Sequence, residues 1–583
     1  MKVFKKLTLF ALAGIISLTA VACGKKVDNS QESNKALIKA ILVSYDNDWL
    51  KANIESFNEL YKDKGYEVEL VLEDANIGEV NDIKSKKRND TDLYFSYNSV
   101  NVLVESSYGI MKERGVCLLE DLSDVLDSQA LTSEKKEEKG KTIGEKISSK
   151  NPRLLAKGKY TGISASQEEY SGTYAIPYAT STTGIYVNKK ALTKLGYTMD
   201  NLLTTDAMLD MCDEIVKNYN INDKDYNNKF FPIAYGASDA GGYPGYMFDY
   251  WLAQYMGETD FDNFWKFIPK TGTVEEKGYT VYEDYGILET LRAICEIENA
   301  DLTQPGSSST LAGAAQNRVF EGYSKENGKN GSLLMVTGDW LYKDAEKNTK
   351  EYINDVISIK APIISALGMK LGLCGTTHSV VVEGYTGRSS HCDNCEAKLR
   401  EIVKLVDAND YTAKTNAQIA TEVGVSEAAV KHIREARGYV IGGEGEVIAS
   451  IPSYSNAKKV AKLFLRHLFS NDWQKVFEEK TYVASVLDMG EKANLDEMND
   501  RERSIYLKAN DYNAKWLFPD KTNKLRQAVA MNFPASSTNL GVYVGLSYSH
   551  KYSTPQFTPK DIYLNNKEYM ELSWYDYLSA AGY

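Results

Sequence analysis

Hydrophobic and polar positions alternate with two different periods along the first hundred residues. Ala36 to Val43 is an apolar run of strand length, and it ends in a polar cluster, Ser44-Tyr45-Asp46-Asn47-Asp48. A segment of helical period follows, with Leu50, Ile54, Phe57 and Tyr61 on one face and Gly65 as its stop. Val68, Leu70 and Leu72 then alternate with Glu67, Glu69 and Val71, as a strand requires. Asp92 to Phe95 is another short strand and also ends in polar residues, Ser96-Tyr97-Asn98. Strand, helix, strand in this order predicts a parallel sheet with helical crossovers. In open sheets of that kind ligands sit beyond the carboxyl ends of the strands. The two polar clusters fall there and are the first candidate sites.

Further along, the chain from about 130 to 172 is charged and weakly periodic, which suits a helical or loop excursion. Tyr174 to Lys190 reads as an extended crossing segment, because Pro177 disfavours helix at Ile176. Helical patterns dominate from about 205 to 300. Ser332 to Val336 is strand-like and leads into Thr337-Gly338-Asp339-Trp340. Val356 to Ile363 is a second apolar run suited to crossing between lobes. Ala457 to Phe477 has one strongly apolar face, with Val460, Ala461, Leu463, Phe464, Leu468 and Phe477, and is predicted to be one amphipathic helix. No internal repeat is visible.

The amino terminus changes the expected compartment. Lys2, Lys5 and Lys6 precede an apolar stretch from Leu7 to Ala22, about 16 residues long, short of the roughly 20 that span a bilayer. The stretch ends Leu18-Thr19-Ala20-Val21-Ala22-Cys23-Gly24. Small residues before a Cys resemble the lipobox of bacterial lipoproteins, in which the Cys is lipidated and becomes the new amino terminus. Residues 1–22 are therefore read as a signal peptide and 23–35 as a polar, lipid-anchored tether. The mature body is expected on the extracellular side of the bacterial cytoplasmic membrane.

Composition narrows the class. A chain of 583 residues exceeds one ordinary core, so two lobes are expected. Acidic residues outnumber basic ones by 80 to 68, which repels phosphate backbones and argues against nucleic acid as a partner. Tyr is abundant, 40 against 17 Phe, which fits either a codon bias or rings at a binding surface. Cys117, Cys212 and Cys295 stand alone in apolar settings and read as buried small hydrophobes.

The order of several short motifs resembles one known family. A lipobox Cys comes first, then the strand ending at Tyr45 and the run Asp92-Leu-Tyr-Phe. Ala175-Ile-Pro-Tyr178 leads on to Ile185-Tyr-Val-Asn-Lys189, followed by Gly331-Ser-Leu-Leu-Met-Val-Thr-Gly-Asp-Trp340 and Ala361-Pro362. Ile451-Pro-Ser-Tyr-Ser-Asn456 then runs into Ala457 to Arg466. Together they resemble the extracellular solute-binding proteins of family 1, the maltose-binding-protein-like receptors of ABC importers, over most of residues 36 to 500. The resemblance implies an α/β, two-lobe periplasmic-binding-protein-like fold with crossing hinge strands and a ligand cleft between the lobes. Lobe 1 would hold 36–175 and 362–510, and lobe 2 would hold 176–361 and 511–583. A segment of about 380–440 exceeds the family's usual connection and is expected as a helical insertion in the first lobe. The implied function is capture of a carbohydrate, an oligosaccharide foremost, by hinge closure. Delivery would be to the permease subunits of the importer, from a monomer, without cofactor or catalysis. A peptide or polyol as solute, or a surface glycoside hydrolase, are the competing readings.

Sugars present apolar C–H faces and a rim of hydroxyls, so their sites combine aromatic platforms with short polar side chains. Trp340, after Gly338-Asp339, resembles the family's platform on the second lobe; packing under a helix turn is the plainer role. Tyr45, Asp46 and Asn47 resemble the contact loop of the first lobe, as do Ser96, Tyr97 and Asn98, against ordinary helix capping. Ser181 lies on the crossing segment. Asp239, Tyr243 and Tyr246 belong to a glycine-broken stretch before a helix whose Trp251 suits the core.

Three motifs point elsewhere. His391-Cys392-Asp-Asn-Cys395 is open to a zinc reading, a local disulfide or free thiols, with Cys374, His378 and His432 as candidate partners. No metal is assigned at this stage. Gln418 to Ile433 fits two short helices about Gly424, resembling a helix-turn-helix, but Glu427 on its second helix argues against reading DNA. No Ser/His/Asp order, P-loop or H-E-x-x-H appears, so an enzyme is not expected.

Overall fold

A computed structural model describes residues 32–42, 46–85, 91–161, 168–220, 230–236, 242–299, 302–304, 310–324, 329–346, 349–382, 392–408, 414–442, 447–490, 495–510, 514–519, 524–532 and 558–583. The chain forms two compact units. One holds the described residues through Thr180 with those of Gly445–Thr481 and Ser485–Glu491; the other holds Ser181–Glu444, Tyr482–Ala484 and Lys492–Tyr583.

The first unit is built on a five-stranded sheet. In spatial order its strands are Glu67–Asp74, Lys35–Ile41, Leu93–Ser96, Val447–Ser450 and Ala175–Ala179. The first three run parallel, with Ile38 opposite Leu93 and Ala40 opposite Phe95, as the strand-helix-strand order predicts. Val447–Ser450 returns antiparallel between Leu93–Ser96 and Ala175–Ala179. The helix Asp48–Tyr61 buries Leu50, Ile54, Phe57 and Tyr61, the face its period predicted. Its Trp49 stacks on Tyr178 at 5.4 Å and meets Phe477 edge-on at 5.0 Å, tying helix, sheet and a late helix into one aromatic core. Asn58 closes the same layer, its side-chain amide bonding both the N–H and the C=O of Val68 at 2.8 Å.

The second unit carries a four-stranded sheet, in order Val356–Ile359, Thr183–Asn188, Leu334–Gly338 and Ile233–Ala234. Its largest helix, Gly242–Met256, is apolar on nearly every side and correspondingly buried, with Trp251 fully inaccessible as expected. The carboxyl-terminal helix Pro559–Ala581 starts at a Thr558–Asp561 capping box and sets Trp574 against Phe267 in this core.

Several expectations are corrected. The amphipathic stretch from Ala457 forms two helices, Lys458–Leu468 and Asn471–Thr481, because Ser470 and Asn471 interrupt the apolar face and restart the helix. The excursion at 130–172 is helical as expected at Ile143–Lys150 and Pro152–Ala156, and adds a small strand pair, Lys159–Tyr160 with Gly172–Thr173. Val356–Ile359 does not cross between units: it pairs with Thr183–Asn188 inside the second. Nor does Ala361-Pro362 lead back to the first unit. Arg437 donates to the Ala361 carbonyl at 2.6 Å and Gln254 accepts from the Ile364 N–H at 3.0 Å, so this segment is held in the second unit.

The insertion at about 380–440 is thereby placed in the second unit rather than the first lobe. Asp393–Asp407, Asn416–Val423 and Glu427–Arg437 are helices, and Leu399, Ile402, Val403, Ile419, Val430 and Ile433 join the same apolar core as Trp251 and Leu288. The helical hairpin about Gly424 forms as read: Gly424 takes the left-handed conformation at φ 69° and Ser426 caps the next helix. The chain returns to the first unit only ahead of Val447–Ser450, and residues 492–510, expected with the first lobe, belong to the second unit. Cys212 and Cys295 are buried, whereas Cys117 is only half-buried.

Candidate functional site

In the first unit the two polar clusters do follow the carboxyl ends of neighbouring parallel strands, Lys35–Ile41 and Leu93–Ser96. Tyr45 lies outside the described residues. Asp46 adopts a left-handed backbone (φ 52°) and its carboxylate accepts from the Asp48 N–H at 3.0 Å, so it shapes the entry to the helix. Asn47 is buried and donates to the Ile41 carbonyl at 2.9 Å. Among these residues the sheet end thus spends Asn47 on backbone.

Ser96, Tyr97 and Asn98 are organised by a residue that the sequence reading missed. Glu79 is buried and accepts from the Asn98 amide at 3.0 Å and the Ser450 hydroxyl at 2.7 Å, and Ser96 hydrogen bonds it as well. Burial pushes the Glu79 carboxyl upward, against the pull of those three donors. Ser96 is itself buried, while Tyr97 between the two anchored residues is 41% exposed. Of this cluster, Tyr97 is the ring presented to solvent. Nothing in the local pattern marks Glu79, since a carboxylate at the start of a short helix usually caps it in water.

In the second unit three predicted residues, Asp339, Trp340 and Tyr246, come together. Asp339 is buried and pairs with Thr182 in both directions: its N–H donates to the Thr182 carbonyl at 3.0 Å, and its Oδ2 accepts the Thr182 N–H at 2.9 Å. Gly338 opposes Thr183 at the end of the ladder, and Asp339 and Trp340 turn out of it toward the helix Leu341–Glu346; Ser181 precedes the gripped Thr182 in the chain. The indole folds back over Gly338, where a Cβ would lie 2.0 Å from the ring, so only glycine leaves room for it. Trp340 is half-buried and meets Tyr246 edge-on at 6.3 Å, and Tyr246 is buried in the helix Gly242–Met256. Asp239 and the side chain of Tyr243 lie outside the described residues.

Lys508 sits behind this turn, another residue with no local signal. It is buried, donates to Ser358 Oγ at 3.2 Å and lies 5.3 Å from the Tyr186 ring. Burial lowers its pKa to about 7, and burial likewise raises Asp339 to about 7, each charge opposing the other's shift.

The cysteine-rich segment assembles differently from its sequence grouping. His391 lies outside the described residues. Cys392 and Cys395, at the start of Asp393–Asp407, meet Cys374 and His378, and one ligand atom from each of the four lies within 4.8 Å of all the others. His378 Nε2 is 3.0 Å from Cys374 Sγ and 3.5 Å from Cys395 Sγ. The contact with His378 pulls the Cys374 thiol down to about 6, while burial pushes Cys395 up to about 12. The three cysteines are free of disulfides. His432 is not in this group: its Nε2 lies 3.1 Å from the Gln254 carbonyl.

The fold has counterparts among solved structures. A probable secreted solute-binding lipoprotein from Streptomyces coelicolor superposes with TM-score 0.51 at 11% identity, covering 93% of this chain and 99% of that one. A protein from Caldanaerobius polysaccharolyticus, studied for xylan utilization, gives 0.53 at 10% identity over 92% and 100%. A chitin oligosaccharide binding protein gives 0.50 at 12% identity over 92% and 98%. The chain therefore has the α/β fold of solute-binding proteins. No protein-family model and no curated protein matches the sequence. No helix among the described residues is long and apolar enough to cross a membrane.

Proposed function

We propose that this protein is the substrate-binding lipoprotein of an ABC importer, that it captures a carbohydrate, foremost an oligosaccharide, and that it hands it unchanged to a membrane permease. The reading is carried by a fold shared with solute-binding proteins, one named for chitin oligosaccharide and another studied for xylan utilization. Trp340 supports it. A half-buried indole supported by Gly338 and Tyr246 suits a sugar's C–H face, with Ser181 as a candidate for its hydroxyl rim. Tyr97, raised between two residues anchored on Glu79, is a second candidate contact. Asp46 remains a candidate; Asn47 shapes the backbone beside it in the first unit, and Asp339 shapes the turn that carries Trp340 in the second. Cys23 is assigned as the lipidated residue and residues 1–22 as the signal, which places the body outside the cell.

The function is tested by calorimetry with a panel of glycans and peptides, run with an assay for released reducing ends. Saturable glycan binding without product is expected. Binding of peptides alone, or steady release of reducing ends, would overturn the carbohydrate-receptor assignment.

A further inference from the structure

We propose that Cys374, His378, Cys392 and Cys395 form a closed structural zinc site that fastens the helical insertion to the second unit. The proposal is independent of which solute the protein carries.

Four observations carry it. The donors are three thiols and one imidazole, the soft and borderline set that zinc takes in structural Cys3His centres. They converge from two separate stretches of chain, a turn after the helix Ala366–Lys370 and the first turn of Asp393–Asp407. Their mutual spacing is close to that of a coordination shell. Zn–S bonds of about 2.3 Å and Zn–N bonds of about 2.0 Å put the edges of a tetrahedron at roughly 3.5–3.8 Å. Two of the three S···N separations are 3.0 and 3.5 Å, and no pair of ligand atoms exceeds 4.8 Å. Finally, Cys392 occupies the N-cap of a fifteen-residue helix and makes no side-chain capping bond, so its sulfur stands at the positive end of the helix dipole.

A disulfide explains less. It would consume two of the sulfurs and leave a third thiol and an imidazole gathered with no purpose. A metal uses all four.

The surroundings show what the clamp would hold. On one side, Leu373 is buried in the core of the second unit, Val380 and Val382 pack against it, and Arg292 donates to the Val381 carbonyl. On the other, Cys395 is buried, Gly368 fits closely under its carbonyl (a Cβ there would lie 3.0 Å away), and Leu399, Ile402 and Val403 continue the apolar contact. A metal bond between these two stretches would fix the register of Asp393–Asp407 on the core, and with it the hairpin Asn416–Arg437 that packs on that helix. Folding free energy and metal affinity would then be linked, because the unfolded chain lacks the preformed ligand set.

The test uses the full chain, purified under reducing conditions from zinc-supplemented medium. Elemental analysis is expected to find about one zinc per chain, as one four-ligand centre requires. Replacement by cobalt should give the intense visible bands of tetrahedral thiolate coordination. Cys374→Ser combined with His378→Ala, on two of the three partly exposed ligands, should abolish zinc retention and lower the melting midpoint to that of the chelator-treated wild type. His378→Cys alone should keep zinc retention, since a fourth thiolate is an equally good donor. Should the double variant fail to fold, the zinc content and cobalt spectrum of the wild type still decide. Metal-free wild type whose thiols all react freely would overturn the proposal. So would a disulfide among these cysteines in the purified chain, iron with inorganic sulfide, or zinc retained undiminished by the double variant.

Discussion

Asp339 accepts both the N–H and the hydroxyl of Thr182 through a single oxygen, Oδ2, at 2.9 and 3.2 Å. The pair lies at the end of the ladder between Thr183–Asn188 and Leu334–Gly338, so it locks the turn that presents Trp340. Lys508 lies behind it, in space that exists because residue 184 is glycine; a Cβ there would come 2.2 Å from the ammonium. Asp339→Ala is expected to destabilise the second unit by about 3 kcal/mol, since it strands a buried N–H and removes the carboxylate facing Lys508. Urea unfolding measures this, and a loss under about 1 kcal/mol would show that the latch is not structural.

If Trp340 is a stacking platform, Trp340→Ala should weaken glycan binding by about 1–3 kcal/mol. Titration calorimetry on a variant with a native circular dichroism spectrum reads this directly. Because the ring also covers Gly338 and meets Tyr246, some loss of stability will accompany it. Unchanged affinity in a folded variant would reduce Trp340 to a packing residue.

His467 gives the first unit an acid-sensitive element. It is fully buried, wedged between Phe57 (5.7 Å) and Trp473 (5.3 Å), with neither ring nitrogen hydrogen bonded among the described residues. Burial lowers its pKa from 6.5 to about 4. The unfolded chain therefore binds the extra proton first, and the stability this group contributes is complete above pH 6.5 and lost as pH falls toward 4. The loss amounts to about 3 kcal/mol across that window. His467→Leu should flatten the dependence there, as melting curves at successive pH values would register; parallel curves for variant and wild type would refute the assignment.

Lipidation at Cys23 predicts that wild type partitions with membranes and that Cys23→Ala is found in the soluble fraction or medium. Retention of the variant in the membrane fraction, scored by immunoblot, would contradict the anchor.

Much of the architecture was legible in local pattern. The strand at Lys35–Ile41, the helix Asp48–Tyr61, the extended segment around Pro177 and the hairpin about Gly424 all follow from period, caps and breakers, which depend on near neighbours. Ser96 and Asn98 were legible as polar residues at a strand's end, but their anchor was not. Glu79 reaches them only because the short helix carrying it packs beside the strand.

The sequence by itself determined the class of elements, their order and a set of chemically apt side chains. Tertiary structure alone decided that residues 362–444 belong to the second unit, that Asp339 grips Thr182, and that Cys374 and His378 meet Cys392 and Cys395. The reason is that periodicity says which face of an element is buried but not what buries it. Partners far apart in the chain are selected by the summed burial of apolar surface and the need to pair every buried polar group, and neither is a property of any one stretch.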